Sequence, residues 1–459
     1  VRSKLGELAP AAHAVERSVE RRVPASCIRF SLDAGRTMWM GAVRLAPHTR
    51  ASRSTDWFGV AALEPQSASA VAADRELAAG DSAVLRGDTA HAGQGVTIIA
   101  RCGDNGERWR VRLAGLACAS GQSGHEPVAE LEVPAHDVCA LPNWPLMGVS
   151  VACLRAFVTA HRDELSDATT EQVCERVCRP LTERPKQSLA ACLKRVGAVD
   201  ATSGCPYVAP PTAFISHARS YKFLDLVEAV EQFAVKEPRP EAVYVWLDIF
   251  SQFQHWLGEV GSVDRPCNWD VVFQLTTATI GHTCLVFSPW RSALPLKRAW
   301  ILWEVLCTLA AVGMSERRLS IQLPPAEVGD FEEALVRDFD SIAAAVAQVD
   351  SCRAQCFTLE DETMIHRAIE RSLSGGHRAL DQLLAEALRR WLIEHGRAAM
   401  ERLAPGTRGL SNLNNSVANL LQQQGDLDGA GVMFREALAA ARATLGDRHP
   451  QSLIELSNN

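Results

Sequence analysis

Between Thr212 and Leu323 the apolar positions alternate between two rhythms. Short continuous apolar runs at Thr212–Ser216, Ala242–Ile249, Thr283–Ser288 and Arg318–Leu323 predict strands buried on both faces. Between them, Phe223–Val235, Trp269–Ile280 and Lys297–Val312 carry apolar residues at helical spacing. Phe331–Val349 predicts a further helix and Ala354–Leu359 a fifth strand. Strand–helix alternation with continuous apolar strands predicts a parallel sheet covered on both sides. Upstream, from Asp81 to Leu141, the runs are shorter and turn-separated: Ser82–Leu85, Val96–Arg101, Trp109–Leu113, Glu130–Val133 and Val138–Leu141. With a hairpin signal at Asp104-Asn105-Gly106, this set predicts a small antiparallel barrel. Ile28–Leu32 and Met38–Leu45 are two more strand candidates in an otherwise unassigned, linker-rich stretch 1–76.

Two other stretches are helical. Val151–His161, Thr169–Val177 (capped by Thr169 and ended by Pro180) and Ser188–Val196 predict a connector over 143–206. His377–His395 is amphipathic. After Pro405 a helical hairpin follows, the first helix burying Val417, Leu420 and Leu421 and the second Ala430, Met433, Phe434, Ala437 and Leu438. Gly425-Asp426 turns the hairpin, and Gly446 and Pro450 end it. Asn415 and Asn458 open matching elements 43 positions apart, which is a repeat period. One such hairpin cannot bury its own face, so the array is expected to continue past Asn459.

Composition narrows the function classes. The chain has 459 residues, 22% charged, with a net charge of −7, so it lacks the basic footprint of a nucleic-acid binder. Its longest apolar stretch, Val305–Met314, is half of what a membrane span requires, and no secretory signal is visible. The 14 Cys are scattered, mostly in apolar or helical runs, without a C-x-x-C pair. That distribution reads as reduced thiols of a cytoplasmic protein, not as a disulfide scaffold or a zinc site. Six of the 11 Trp and all 3 Tyr fall between 207 and 303, inside the alternating block. No nucleophile elbow, P-loop or dinucleotide fingerprint is present.

In that block, T-A-F-I-S-H-A at 212–218, V-W-L-D at 245–248, C-L-V-F-S-P-W at 284–290 and R-A-W-I-L-W-E-V at 298–305 occur in a recognisable order. They resemble the strand boxes and the W-x-x-x-E helix of a divergent Toll/interleukin receptor (TIR) domain, over 207–396. The resemblance implies a flavodoxin-like parallel sheet and association with itself or other TIR domains. It also implies a second function found in some TIR domains, cleavage of NAD as a substrate, with no cofactor required. Carried over residue by residue, Glu304 is the candidate catalytic carboxylate and Trp300 the nicotinamide-stacking ring. Independently, ligands of open α/β sheets sit beyond the carboxyl ends of the strands. Those ends place Ser216, Asp248 and Ser288 in the candidate NAD cleft, and a carboxylate there suits an oxocarbenium-like centre. The competing reading of Trp300 and Glu304 is plain helix packing. His217 and His282 read as structural, and Arg219 stands where this TIR-like group often carries Trp.

The run G-V-T-I-I-A-R…G-E-R-W-R-V-R-L from Gly95 resembles a Src-homology-3-like barrel over 77–142, implying a peptide-binding module or a spacer. S-N-L-N-N-S-V-A-N-L-L…R-E-A-L…L-G-D-R-H-P, within 405–459, resembles the tetratricopeptide repeats of kinesin light chains and nephrocystin-like proteins. It implies protein partners bound through the repeats. Together these features describe a multidomain signalling scaffold without a membrane span or nucleic-acid partner, with NAD glycohydrolase activity as the alternative.

Overall fold

The structure is a computed structural model, and it describes residues 28–32, 36–40, 57–64, 82–85, 95–102, 108–113, 130–134, 138–140, 146–255, 269–309, 318–347 and 349–450. The chain divides into two units, Val1–Ser54 and Thr55–Asn459. In the first, β1 (Ile28–Leu32) and β2 (Arg36–Met40) form an antiparallel hairpin in which Phe30 pairs with Met38. The strand expected at Met38–Leu45 starts earlier, and residues 41–45 lie outside the described residues.

In the second unit, β3 (Ser82–Leu85), β4 (Gly95–Cys102), β5 (Arg108–Leu113), β6 (Glu130–Pro134) and β7 (Val138–Ala140) make a five-stranded antiparallel sheet in the order β6-β5-β4-β3-β7. The pleat explains its amphipathicity. Trp109 and Val111 are buried, while Arg110 and Arg112 alternate outward and pair with Glu132 (3.1 Å) and Glu130 (2.8 Å) on β6.

The main sheet has six strands: β8 (Gly148–Ser150), β9 (Val208–Ala209), β10 (Ala213–Ser216), β11 (Tyr244–Trp246), β12 (His282–Val286) and β13 (Arg318–Gln322), in the order β13-β12-β10-β11-β8-β9. The pairs β10–β11, β10–β12 and β12–β13 are parallel; β8 and β9 extend the β11 edge antiparallel. The segment expected to be only a helical connector thus supplies sheet edge. Gly148 is required there, because a Cβ would lie 2.8 Å from Pro211 Cα and 3.1 Å from the Tyr244 carbonyl carbon. The long strand expected at Ala242–Ile249 is shorter: Asp248 begins a helical turn, Asp248–Ser251. The fifth strand expected at Ala354–Leu359 is replaced by a single parallel bridge, Arg298 to Gln355, followed by a helix that Thr358 caps.

Helices cover both faces. α1 (Val151–Ala160), α2 (Phe223–Lys236) and α5 (Pro325–Ala347) pack together, as do α3 (Trp269–Ile280), α4 (Ala299–Leu309) and α6 (Leu359–Ser372). Strand alternation assigns the faces. Phe214 meets Phe273 of α3, and Thr283, its neighbour in register, bonds Thr308 just inside α4 at 2.6 Å; His282 instead packs on Phe233 of α2. Pro180 does not end the second connector helix. A π turn at Cys174–Cys178 widens the backbone and the helix runs on through Arg179–Thr182, since a wider turn relieves the clash of the ring with the preceding turn.

α7 (Gly376–Glu401) joins this block to a helical hairpin, α8 (Asn412–Gln423) and α9 (Leu427–Leu445). Trp391 of α7 stacks on Phe331 and donates to the Ile321 carbonyl at 3.1 Å. One turn on, Gly396 lets α8 approach, as a Cβ would stand 2.6 Å from Val417 and 3.2 Å from Phe339. Among the described residues no helix is long and apolar enough to cross a membrane.

Candidate functional site

The four parallel strands reverse their order beside β10, whose neighbours are β11 and β12. Such a switch point leaves a crevice beyond the strand ends. Ser216, the last residue of β10, points toward α4, as Phe214 and strand alternation require. Its hydroxyl donates to Glu304 Oε2 at 2.5 Å. Ser216 is wholly buried and Glu304 is 7% exposed. Burial, with Asp248 adding to it and the Ser216 hydrogen bond opposing it, pushes the Glu304 carboxyl up to about 8. At neutral pH this side chain is therefore held in its neutral form.

Asp248 is engaged differently. Arg219, in the loop after β10, donates from Nε to Asp248 Oδ2 at 2.7 Å and reaches Glu171 at 3.0 Å and Gln254 at 3.2 Å with its two other nitrogens. Burial pushes Asp248 up, but the guanidinium, His217 and the Ile249 N–H together hold it below the ordinary carboxylate value. The same pairing raises Arg219. His217 lies beside these groups: its Nε2 is buried, has no hydrogen-bond partner among the described residues and stands 3.8 Å from Asp248 Oδ1. Burial lowers the imidazole, against the pull of Asp248.

The other two expected residues turn elsewhere. Ser288 donates to Glu327 at the start of α5, whose other oxygen accepts the Trp290 N–H at 2.9 Å. Trp300, half-buried, packs its ring on Phe273 with centroids 5.1 Å apart. Of the expected group, then, Ser216 and Glu304 meet directly, Asp248 acts on Glu304 electrostatically, and Ser288 and Trp300 have separate partners. The helix holding Trp300 and Glu304 is buried along nearly its whole length, and Trp303 Nε1 donates to the Asp270 carbonyl at 2.8 Å.

Sequence reasoning missed the ion-pair role of Arg219 and missed Glu327 altogether. Arg219 carried a signal, a cation in a loop beside a strand-end Asp. Glu327 lies 39 positions from its partner Ser288, in a stretch read as preceding its helix. Among the described residues no group of three or more His, Cys, Asp or Glu is placed to hold a metal, and ten of the Cys among them form no disulfide. Burial raises the thiols of Cys174 and Cys192 to about 12, which keeps them protonated and inert.

At the other end of the unit, α8 and α9 close on each other around Val417, Leu421, Met433, Phe434 and Ala437. Asn414, buried in the seam, donates to the Met433 carbonyl at 2.9 Å, and Asp426 caps α9 through the Gly429 N–H at 2.9 Å. No curated protein and no solved structure matches the chain. The family model of the tetratricopeptide repeat matches residues 415–451, so this hairpin carries a repeat of the kind that generally mediates protein interaction.

Proposed function

We propose that the chain is a protein-assembly platform, in which a TIR-like α/β block associates with a copy of itself or another TIR domain and the repeat binds protein segments. The strand order β11-β10-β12-β13, with helices on both faces, supports a flavodoxin-like block. One observation carries the scaffold reading over the enzymatic one. Glu304, the candidate catalytic carboxylate, is closed into the core and held neutral, and a neutral carboxyl cannot stabilise an oxocarbenium-like centre. Light scattering over a concentration series tests it: reversible self-association is expected, and a strictly monomeric chain at high concentration refutes it.

NAD cleavage is the second reading, favoured by a specific feature. Glu304, Ser216 and Asp248 border the switch point, together with an unpartnered, buried His217 Nε2. Turnover would require opening that exposes and ionises Glu304. Nicotinamide release by the full chain at high concentration, lost in Glu304→Ala, supports this reading; no release even from forced oligomers sinks it.

A further inference from the structure

Outside the switch point, α7 presents a second surface. Arg378, Gln382, Ala385 and Arg389 recur at helical spacing, and eleven residues make three turns plus about 20°, so both guanidiniums lie on one face. Along this face runs an open groove of about 670 Å³, lined by that stripe and by Gln423 and Gln424 at the end of α8. Ala385 and the glutamines line it together with the arginines.

The charges in the groove are not balanced. Asp381 accepts the Ser351 N–H at 2.9 Å, and Glu386 faces Arg390 at 3.9 Å. Arg378 and the half-buried Arg389 have no ion-pair or hydrogen-bond partner among the described residues. Two unneutralised cations thus stand at opposite ends of a polar groove, about 16 Å apart along the helix axis. Between them, the amides of Gln382, Gln423 and Gln424 offer both donors and acceptors, which suits a peptide backbone.

We infer that this groove binds an extended acidic segment of another protein, with carboxylates about four residues apart. At about 3.3 Å per residue, positions one and five of a strand are about 13 Å apart and on the same edge, within reach of two flexible arginines. Guanidinium–carboxylate pairing would fix the ends, and the glutamines the register. The two arginines lie on α7, outside the matched repeat 415–451, whereas Gln423 and Gln424 belong to it, so charge reversal on α7 tests the groove without altering the repeat, and its failure leaves the protein-assembly reading intact.

The test uses the full chain and a fluorescent pentapeptide with glutamates at positions one and five. Anisotropy is expected to show saturable binding that weakens with salt. Arg378→Glu and Arg389→Glu are each expected to weaken it tenfold or more, and a peptide with lysines in place of glutamates to regain affinity for the double variant. Both positions are solvent-facing enough for the variants to fold, which circular dichroism checks. Absence of binding, equal binding of a glutamine-substituted peptide, or unchanged affinity in both variants overturns the proposal. So does self-association of the chain that Arg389→Glu abolishes, which would make a second copy the occupant.

Discussion

Replacing Glu304 by Gln keeps shape and hydrogen-bonding capacity beside Ser216 but removes a proton that must be bound on folding. The carboxyl rises from an ordinary 4.5 in the unfolded chain to about 8 in the folded one. Below pH 4.5 both states hold the proton and the full stability is present. Between 4.5 and 8 the folded state keeps a proton the unfolded state has released, so stability falls by about 1.4 kcal/mol per pH unit. Above 8 the loss is complete, at about 5 kcal/mol. At pH 7 the cost is about 3 kcal/mol, a large share of a typical folding free energy. Glu304→Gln is therefore expected to be more stable than the parent by about 3 kcal/mol at pH 7, by less than about 1 kcal/mol at pH 5, and by more at pH 8.5. Urea midpoints of both proteins at these three pH values measure the gap. A gap independent of pH, or a variant less stable at pH 7, refutes the burial argument. Retention of so costly a carboxyl would itself point to use of its charge in another state of the protein.

Other consequences are equally direct. Gly396→Val drives a side chain into Val417 and Phe339, and is expected to cost about 2 kcal/mol and to raise amide exchange in α8 before that in the sheet. Arg219→Ala strips Asp248 of its main counter-charge and should destabilise the unit by about 2 kcal/mol at pH 7, a penalty that shrinks as Asp248 protonates on acidification; equal melting curves for variant and parent would refute this. His377 sits in a chain running from Ser351 through its own ring to His366 (3.0 Å) and the Ala354 carbonyl. Burial, with His366 beside it, lowers its imidazole, so its contribution is present above pH 6.5 and lost as pH falls below; the protection factors of amides 350–380 should fall on acidification, and in His377→Gln that pH dependence should flatten.

The sheet block was legible because its strands and helices differ in period and because α2 is strongly amphipathic. Trp269–Ile280 was read to the residue, and Ser150, Thr169 and Ser188 each cap a helix expected near them. What escaped were features set by partners distant in sequence. Gly148–Ser150 and Val208–Ala209 are too short to show a strand pattern; the first exists because β11 offers it an edge, and the second because the first does. The end of β11 is set by the helical turn that Asp248 begins, not by hydrophobicity, which continues through Ile249 and Phe250. The candidate site was half legible. Helical spacing and strand ends bring Glu304 to Ser216, but nothing in the local pattern tells that α3 takes the ring of Trp300 or that α5 takes Ser288.

The helix α7 belongs to two structures at once, since Trp391 anchors it in the sheet block and Gly396 seats it against the repeat. Its 26 residues make a rod about 39 Å long. The two attachment points, Trp391 and Gly396, are five residues and about 7.5 Å apart along it, so they are joined by a short rigid strut. A shift of Phe331 or Ile321 in the sheet block is thus expected to be passed to the seat of α8 at Gly396, and a shift of the repeat to be passed back.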